Sequence, residues 1–339
     1  MKTFSLYTHY KKLLADTMTP VSIYLKIRDK YPNSILLESS DYHANENSFS
    51  YICFNPIASI QVKNDLVLQN YPDGSTKKNS TKNIDLVEEI NKFTKRFKVS
   101  QDEQFKFINN GIFGYMTYDA VRFYEAIDIS DKENKLEIPD VYYAIYQNII
   151  AINHFKNEAY VFAHCFNTEN NIDEILHLIQ SKSFASYQFS SHGEVNSNLT
   201  DSEYMELVDI AKQHCARGDV FQLVLSRKFM QKFKGDEFNV YRALRSINPS
   251  PYLFYFDYGN FKIFGSSPEA QLIVTNGKAE IHPIAGTFKR TGNDENDADL
   301  AKKLVNDAKE NSEHVMLVDL ARNDLSRHGS QVKVETYKE

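Results

Sequence analysis

A carboxylate beside turn-forming residues marks the first candidate for chemistry in this chain. The motif Gly265-Ser266-Ser267-Pro268-Glu269 places Glu269 directly after a segment of strand character. A glutamate at the end of a strand can act as a general acid when burial raises its pKa. An isolated glutamate in a solvated loop is the commoner case, so the motif alone leaves both interpretations open.

A second motif, His282-Pro283-Ile284-Ala285-Gly286-Thr287, carries groups suited to ligand binding. Gly286 has no side chain to keep a ligand away from the backbone. Thr287 offers a hydroxyl that can donate or accept a hydrogen bond. A strand end with a bulge is the structural alternative.

Carboxylates at helical spacing further along the chain suggest a metal site. Glu310 and Glu313 lie three residues apart, and Asp319 follows. Oxygen ligands of this kind suit Mg²⁺, which retains several waters in proteins. An ordinary charged helix face would show the same pattern.

The composition limits the class of protein. The chain has 339 residues, of which 42% are hydrophobic and 25% charged, typical of a globular protein with a substantial core. A net charge of −6 argues against a nucleic-acid surface. Neither a secretory signal nor a membrane-spanning segment is evident. Three cysteines far apart in the sequence predict reduced thiols and a cytoplasmic protein.

Two domains are predicted, at residues 1–185 and 198–339, joined by a linker at 186–197 within a segment rich in Ser and Asn. In the first domain, helices are expected at Val87–Phe97 and Ile172–Ile179. A hairpin is expected where Val141–Ile152 and Ala159–His164 flank a short turn.

The second predicted domain has clearer signals for the ends of its helices and strands. Thr200 and Glu203 form a capping-box pattern, and Gly218 marks the end of that helix. The next segment, Val220–Phe229, is predicted to be a strand that contains Gln222. Two hairpins are predicted next, formed by Tyr252–Tyr258 with Phe261–Phe264 and by Gln271–Thr275 with Lys278–His282. Two helices are predicted after them, at Leu300–Lys309 and Glu313–Leu325. These elements predict an α+β architecture with largely antiparallel sheets.

Taken in order, five blocks resemble the chorismate-utilising enzymes. The blocks are Gly218–Arg227, Asn248–Tyr252, Gly265–Glu269, Pro283–Thr287 and Ser312–Asp324. The first half matches less closely, through Leu36–Ser39 and Gly111–Tyr115. The resemblance implies layered antiparallel β-sheets with flanking helices, as in component I of anthranilate synthase. Because the family pattern continues past the position of Glu339, it also implies a fold that is incomplete at the C-terminus and a chain inactive alone.

Two positions distinguish members of this family by their nucleophile. Isochorismate synthases have lysine where Gln222 stands, and the amide of Gln222 cannot act as a base. Aminodeoxychorismate synthases commonly have lysine where Ala285 stands, and Ala285 has no nucleophile. The resemblance therefore implies addition of ammonia to chorismate, giving anthranilate and pyruvate. Aminodeoxychorismate synthase component I and a non-catalytic tryptophan-binding remnant remain alternatives.

The resemblance also implies roles for individual residues. Glu313 would bind Mg²⁺, Glu269 would protonate the leaving hydroxyl, and Gly286 and Thr287 would contact chorismate. Gln222 would lie in the pocket without acting as a base.

A tryptophan feedback site and a protein partner are implied as well. The feedback site is similar to Leu37 and Ser39 together with Pro251, Tyr252 and Leu253. This chain departs from the family at Ser48, where a basic residue is common. In this family ammonia comes from glutamine through a separate amidotransferase subunit, so a hetero-oligomer is expected.

Overall fold

The structure is a computed structural model that describes residues 2–39, 48–100, 105–127, 129 and 137–338. The strands are β1 (Phe4–Leu14), β2 (Ile35–Glu38), β3 (Phe49–Lys63), β4 (Leu66–Asn70), β5 (Thr76–Ser80), β6 (Phe97–Val99), β7 (Phe113–Met116), β8 (Val141–Asn153), β9 (Glu158–Cys165), β10 (Phe189–Ser197), β11 (Phe229–Gly235), β12 (Tyr252–Asp257), β13 (Lys262–Ser267), β14 (Ile273–Thr275) and β15 (Lys278–Glu280). The helices are α1 (Pro20–Ile27), α2 (Leu86–Thr94), α3 (Ile172–Gln180), α4 (Asp201–Arg217), α5 (Phe238–Ile247), α6 (Asp294–Asn306) and α7 (Ala308–His328), with short 3₁₀ turns at Thr81–Asn83 and Tyr118–Phe123.

Two compact units can be distinguished by their internal contacts. One consists of Met1–Gln180 together with Asn248–Glu339, and the other of Ser181–Ile247. Within the described ranges, no helix is both long enough and apolar enough to cross a bilayer.

An eleven-stranded sheet dominates the described part of the first unit. Its main path runs β13-β12-β2-β3-β8-β9-β1-β6, while β4 and β5 extend from β3, and β7 pairs with β8. Pairing is antiparallel except between β1 and β6. The α+β class with largely antiparallel pairing is confirmed.

Both faces of the sheet carry apolar side chains, as alternation along a strand requires when each face is covered. One face contains Leu36, Ile52 and Ile150, which follow one another in register across β2, β3 and β8. Helix α1 packs on β2 and β3, and α3 packs on β1 and β9. Tyr24 of α1 meets Tyr255 of β12 edge to face at 5.7 Å between ring centroids.

The opposite face carries an aromatic cluster. Cys53, Ile149 and Phe162 are fully or almost fully buried there. Phe105 and Phe107, from the segment before β7, pack against Phe162. Phe105 and Phe107 are partly buried, so their aromatic contacts help to hold this segment against the sheet.

Local signals in the sequence located the turns and both ends of α4 correctly, whereas the ends of the other predicted helices are shifted. The predicted hairpin between β8 and β9 is present, with Asn157 at φ 51°. Asn276 and Gly277 have φ values of 51° and 80° in the turn between β14 and β15, as a type I′ turn requires. The capping box at Thr200 and the left-handed Gly218 bound α4. The helices predicted at Val87–Phe97, Ile172–Ile179, Leu300–Lys309 and Glu313–Leu325 are confirmed with shifted ends as α2, α3, α6 and α7.

The predicted linker is not irregular chain. Most of residues 186–197 forms β10, which pairs antiparallel with β11. Backbone hydrogen bonds to a neighbouring strand do not depend on side-chain type, so a segment rich in Ser and Asn can form a strand when a partner strand is available. The compact units also differ from the predicted ranges, since 248–338 clusters with the first part of the chain. The division into two functional domains stays a prediction.

The predicted strand Val220–Phe229 is wrong over most of its length. Residues 220–228 have no strand structure, and β11 starts only at Phe229. Apolar alternation is not sufficient for a strand, because the backbone groups need a neighbouring strand. Within the described chain, no strand pairs with 220–228. Gln222 therefore lies in an extended loop.

The close approach of β7 to β8 predicts a strong effect at Gly114. A Cβ added to Gly114 would lie 1.8 Å from the carbonyl oxygen of Tyr142. We expect Gly114→Ala to lower the free energy of unfolding by about 1–3 kcal/mol, because backbone must move to admit the methyl group. Urea unfolding measures the change. Met116→Ala on the same strand, where the side chain is 45% exposed, serves as the control. Equal stability of Gly114→Ala and the wild type would contradict the close approach of β7 to β8.

Candidate functional site

The pairing of β12 with β2 brings together two segments that lie far apart in the sequence. Leu253 pairs with Glu38, and Phe254 pairs with Leu37. Leu253 and Glu38 are buried, with 1% and 5% exposure. The predicted tryptophan-site segments are thus brought together, since Leu37 and Leu253 lie on paired strands and Ser39 and Pro251 directly flank those strands.

The ends of these two strands are more open than their centres. Ser39 directly follows β2 and is half-buried. Pro251 is exposed, and Tyr252 is 43% exposed, at the start of β12. Ser48, where a basic residue is common in the family, is buried. A ligand at this end of the strands would meet an aromatic ring, a hydroxyl and backbone groups.

Glu269 lies just beyond β13, and the contacts around it are local. Its backbone N–H donates to Ser267 Oγ at 3.3 Å, and that hydroxyl donates to the carbonyl of Glu269 at 3.0 Å. The Ser266 hydroxyl donates to the carbonyl of Asn248 at 2.7 Å. This hydrogen bond connects the blocks Gly265–Glu269 and Asn248–Tyr252. Glu269 itself is exposed. The burial on which a general acid depends is therefore not provided by the described residues.

Gly286 is approached closely by a carboxylate of helix α7. An ideal Cβ on Gly286 would lie 1.6 Å from an Oε atom of Glu310. Only glycine leaves room for the carboxylate at this point of the chain. The spacing in the sequence suggests both Glu310 and Glu313 as metal ligands, whereas the family resemblance implies only Glu313. The contact with Gly286 is the signal that singles out Glu310.

Helix α7 is oriented by its first turn. Asp307 ends α6 and also caps α7, accepting the backbone N–H groups of Lys309 and Glu310 at 2.9 and 3.0 Å. Residues three apart lie on the same side of a helix, so Glu310 and Glu313 can face one ligand. Both are at least partly shielded from solvent.

The donor set of α7 fits a magnesium ion only in part. Two carboxylates supply hard oxygen ligands, and Mg²⁺ is commonly held by one or two carboxylates with waters and substrate oxygens completing its shell. The described residues include no group of three or more His, Cys, Asp or Glu side chains that could hold a metal. Glu310 and Glu313 therefore suit a Mg²⁺ ion whose remaining ligands come from water and the substrate.

The segment after Thr287 borders a cavity of about 400 Å³. One wall is α6 and the other is the segment that begins at Phe288, and the lining residues are Phe288, Lys289, Arg290, Asp294, Asp297, Ala298, Leu300, Ala301 and Leu304. The lining contains both positively and negatively charged side chains. Thr287, the predicted chorismate contact, is exposed at the entrance to this segment.

Gln222 belongs to the second compact unit, whereas Glu269, Gly286, Thr287 and Glu313 belong to the first. Its side chain is exposed. On the second unit, a cleft of about 340 Å³ lies between α4 and the loop that carries Gln222. Its lining includes Tyr204, Val208, Cys215, Leu223 and Leu225.

The approach of Glu310 to Gly286 can be tested by a double-mutant cycle. We expect Gly286→Ala to lower the free energy of unfolding by about 1 kcal/mol or less, because the methyl group meets the mobile end of a glutamate. In a Glu310→Ala background this cost should vanish, since the conflicting atoms are gone. Urea unfolding of the four proteins measures the coupling. The same cost in both backgrounds would show that Glu310 does not occupy this position.

Comparison with known proteins identifies the family. The family model of chorismate binding enzymes matches residues 33–339. Anthranilate synthase component 1 of Aquifex aeolicus is 34% identical over 345 residues, which cover 97% of this chain and 69% of the relative. Anthranilate synthase component 1 of Bacillus subtilis is 34% identical over 336 residues, which cover 92% of this chain and 64% of the relative.

Solved structures agree with these sequence matches. Anthranilate synthase component I of Streptococcus pneumoniae superposes with a TM-score of 0.66 at 26% identity, covering 94% of this chain and 69% of that one. The menaquinone-specific isochorismate synthase of Escherichia coli gives a TM-score of 0.62 at 13% identity, covering 96% and 65%, and so shows a shared fold. The ordered motifs, the α+β fold and these matches together establish that the chain belongs to the family of chorismate binding enzymes.

Proposed function

We propose that this chain is the chorismate-converting subunit of an anthranilate synthase. The observation that carries the proposal is the placement of Glu310 against Gly286, which joins the carboxylates of α7 to the Pro283–Thr287 motif. The similarity to anthranilate synthase component 1 from several organisms supports it. Gln222 and Ala285 favour ammonia as the nucleophile, because neither side chain can act as a base or a nucleophile.

The proposed reaction joins chorismate and ammonia to give anthranilate, pyruvate and water. Ammonia forms a bond to the ring as the ring hydroxyl departs, and Glu269 supplies the proton that lets this hydroxyl leave as water. The enolpyruvyl group is then eliminated as pyruvate with loss of a ring proton, and the ring becomes aromatic.

The Pro283–Thr287 motif and the carboxylates of α7 would bind different parts of the ligand. Gly286 and Thr287 contact chorismate through backbone and hydroxyl groups. Glu313, together with Glu310, would hold Mg²⁺, which when bound supplies positive charge to offset a substrate carboxylate. Gln222, as a neutral amide, would not act as a base.

Tryptophan is proposed as a feedback inhibitor that binds where β2 and β12 end. The pairing of Leu37 with Phe254 supports this, since it makes the two sequence segments adjacent. The neighbouring Ser39, Pro251, Tyr252 and Leu253 would provide the remaining contacts. A tryptophan-binding protein without catalysis is the second candidate function, and the same pairing favours it.

Ammonia is proposed to come from glutamine through a separate amidotransferase subunit, which makes the working enzyme a hetero-oligomer. The designation "component 1" of the relatives supports a second component. The three cysteines are free thiols, with Cys53 and Cys165 buried, which fits the proposed cytoplasmic location.

The proposed function can be tested with the purified chain, chorismate, Mg²⁺ and ammonium, by following the fluorescence of anthranilate. Product formation would show that the chain is active alone, and Glu313→Ala should then lower turnover by at least about 10–100-fold, as for other perturbed metal sites. Glu295→Ala changes an exposed carboxylate on α6 and is the matched control. Equal loss in both variants, or none in Glu313→Ala, would contradict the assignment of Glu313.

The role of Glu269 predicts a separation of binding from turnover. Glu269→Gln should lower turnover by about 10²–10⁴-fold, because the amide cannot donate the proton as an acid. Chorismate affinity, measured by calorimetry, should stay near that of the wild type. Glu280→Gln on β15 controls for loss of one negative charge. Unchanged turnover in Glu269→Gln would remove this residue from the mechanism.

The feedback site has a convenient optical signal, because the chain contains no tryptophan. We expect tryptophan at about 1 mM to raise the melting temperature by about 2 °C or more through preferential binding to the folded state. The emission of the bound indole should shift relative to that of free tryptophan, while the protein itself contributes only tyrosine emission. Tyr252→Ala should abolish both effects, whereas Tyr118→Ala, at an 89% exposed ring, should not. No change in melting or emission with the wild type would refute the tryptophan site.

A further inference from the structure

The segment that follows Thr287 is fastened to helix α6 by one carboxylate. Asp297 Oδ1 accepts the backbone N–H of Thr291 at 2.7 Å and the hydroxyl of the same residue at 2.8 Å. Asp297 lies in the first turns of α6, and its own N–H donates to the carbonyl of Asn293 at 2.9 Å. The carboxylate therefore receives two hydrogen bonds from a residue outside its helix.

The turn held by Asp297 also sets where α6 begins. Gly292 has φ 79°, a conformation that favours glycine. Asn293 caps the helix by accepting the N–H of Asn296 at 3.1 Å, and its own N–H donates to Thr291 Oγ1 at 3.3 Å. Thr291 thus connects Asp297 to the helix cap.

The same segment is in contact with α7 at its other end. There, the carboxylate of Glu310 fills the space beside Gly286. Residues 286–292, which we name the substrate loop, are consequently bounded by a contact to α7 and a hydrogen-bonded anchor on α6. Lys289 and Arg290 lie between the two and line the 400 Å³ cavity.

Asp297 is well suited to act as an ionised anchor. The hydrogen bond from the backbone of Thr291 is the largest cause that lowers the pKa of its carboxyl, followed by the Thr291 hydroxyl, and Arg290 contributes as well. Hydrogen bonds to an ionised acceptor are about twice as strong as those between neutral groups. Asp297 is partly shielded, whereas Asp299 two residues later is exposed.

We propose that Asp297 is a positioning residue, which holds the substrate loop so that Gly286 and Thr287 can receive chorismate. The inference rests on the proposed function, because it deepens the account of that same binding site. It assigns to Asp297 no contact with the substrate. Its effect passes through Thr291 and the turn at Gly292.

The test combines hydrogen exchange with chorismate affinity. In Asp297→Ala, amide exchange at Thr291 should accelerate by about tenfold, the value of roughly one net hydrogen bond. The dissociation constant of chorismate with Mg²⁺ should rise by about tenfold or more. Asp297→Asn should restore much of both properties, because its side-chain oxygen still accepts hydrogen bonds. Asp299→Ala removes a carboxylate that pairs with Lys302 on the helix surface and should leave both unchanged.

Each outcome separates this inference from the proposed function. Unchanged exchange at Thr291 in Asp297→Ala would overturn the anchor itself, whether or not chorismate binds. Faster exchange with unchanged chorismate affinity would overturn the positioning role while the proposed function stands. If wild-type protein with Mg²⁺ fails to bind chorismate, the proposed function fails, and the positioning role fails with it even when the anchor is confirmed.

Discussion

The antiparallel pairing of β12 with β2 is the constraint on which much of the structure depends. It inserts residues from the second half of the sequence into a sheet that is otherwise built from the first half. Leu253 and Tyr255 become buried as a result, and Tyr255 packs on Tyr24 of α1. Closing so long a loop costs conformational entropy, which the backbone hydrogen bonds and the buried apolar side chains must offset. The same pairing places the two halves of the proposed tryptophan site side by side.

From this sheet the chain continues into the segments proposed to handle chorismate. β13 pairs with β12 and leads to Glu269, and α6 and α7 then flank the substrate loop. No side chain of α4, α6 or α7 is fully buried in the described chain. The order around Gly286 and Thr291 therefore depends on polar contacts, namely the carboxylate of Glu310 and the hydrogen bonds to Asp297. Contacts of this type depend on geometry and ionisation, whereas the sheet depends on buried area.

Much of the fold could be predicted from the sequence because its signals are local. Asn276-Gly277 defines a turn by backbone conformation alone, and the Thr200 capping box satisfies backbone groups within three residues. The failures arose where structure depends on distant partners. The apolar alternation at Val220–Phe229 resembled a strand without a neighbour to pair with, and β10 formed in a polar segment because β11 was available.

The candidate site shows the same limit. Motifs in the sequence could locate Gly286 and the acidic residues of α7, and family resemblance could propose roles for them. Spacing alone could not show that Glu310 is the carboxylate beside Gly286, since that depends on the direction in which α7 approaches the loop. Spacing also could not show which of the several acidic residues at the start of α6 accepts the hydrogen bonds of Thr291. In the structure that residue is Asp297.

Membership in the family leaves the nucleophile as the central question, because chorismate can be attacked by water or by ammonia. The most direct measurement is to identify the product by mass spectrometry after incubation with chorismate, Mg²⁺ and ¹⁵N-labelled ammonium. We predict anthranilate that contains one labelled nitrogen, together with an equal amount of pyruvate. Isochorismate, or aminodeoxychorismate without pyruvate, would contradict the account.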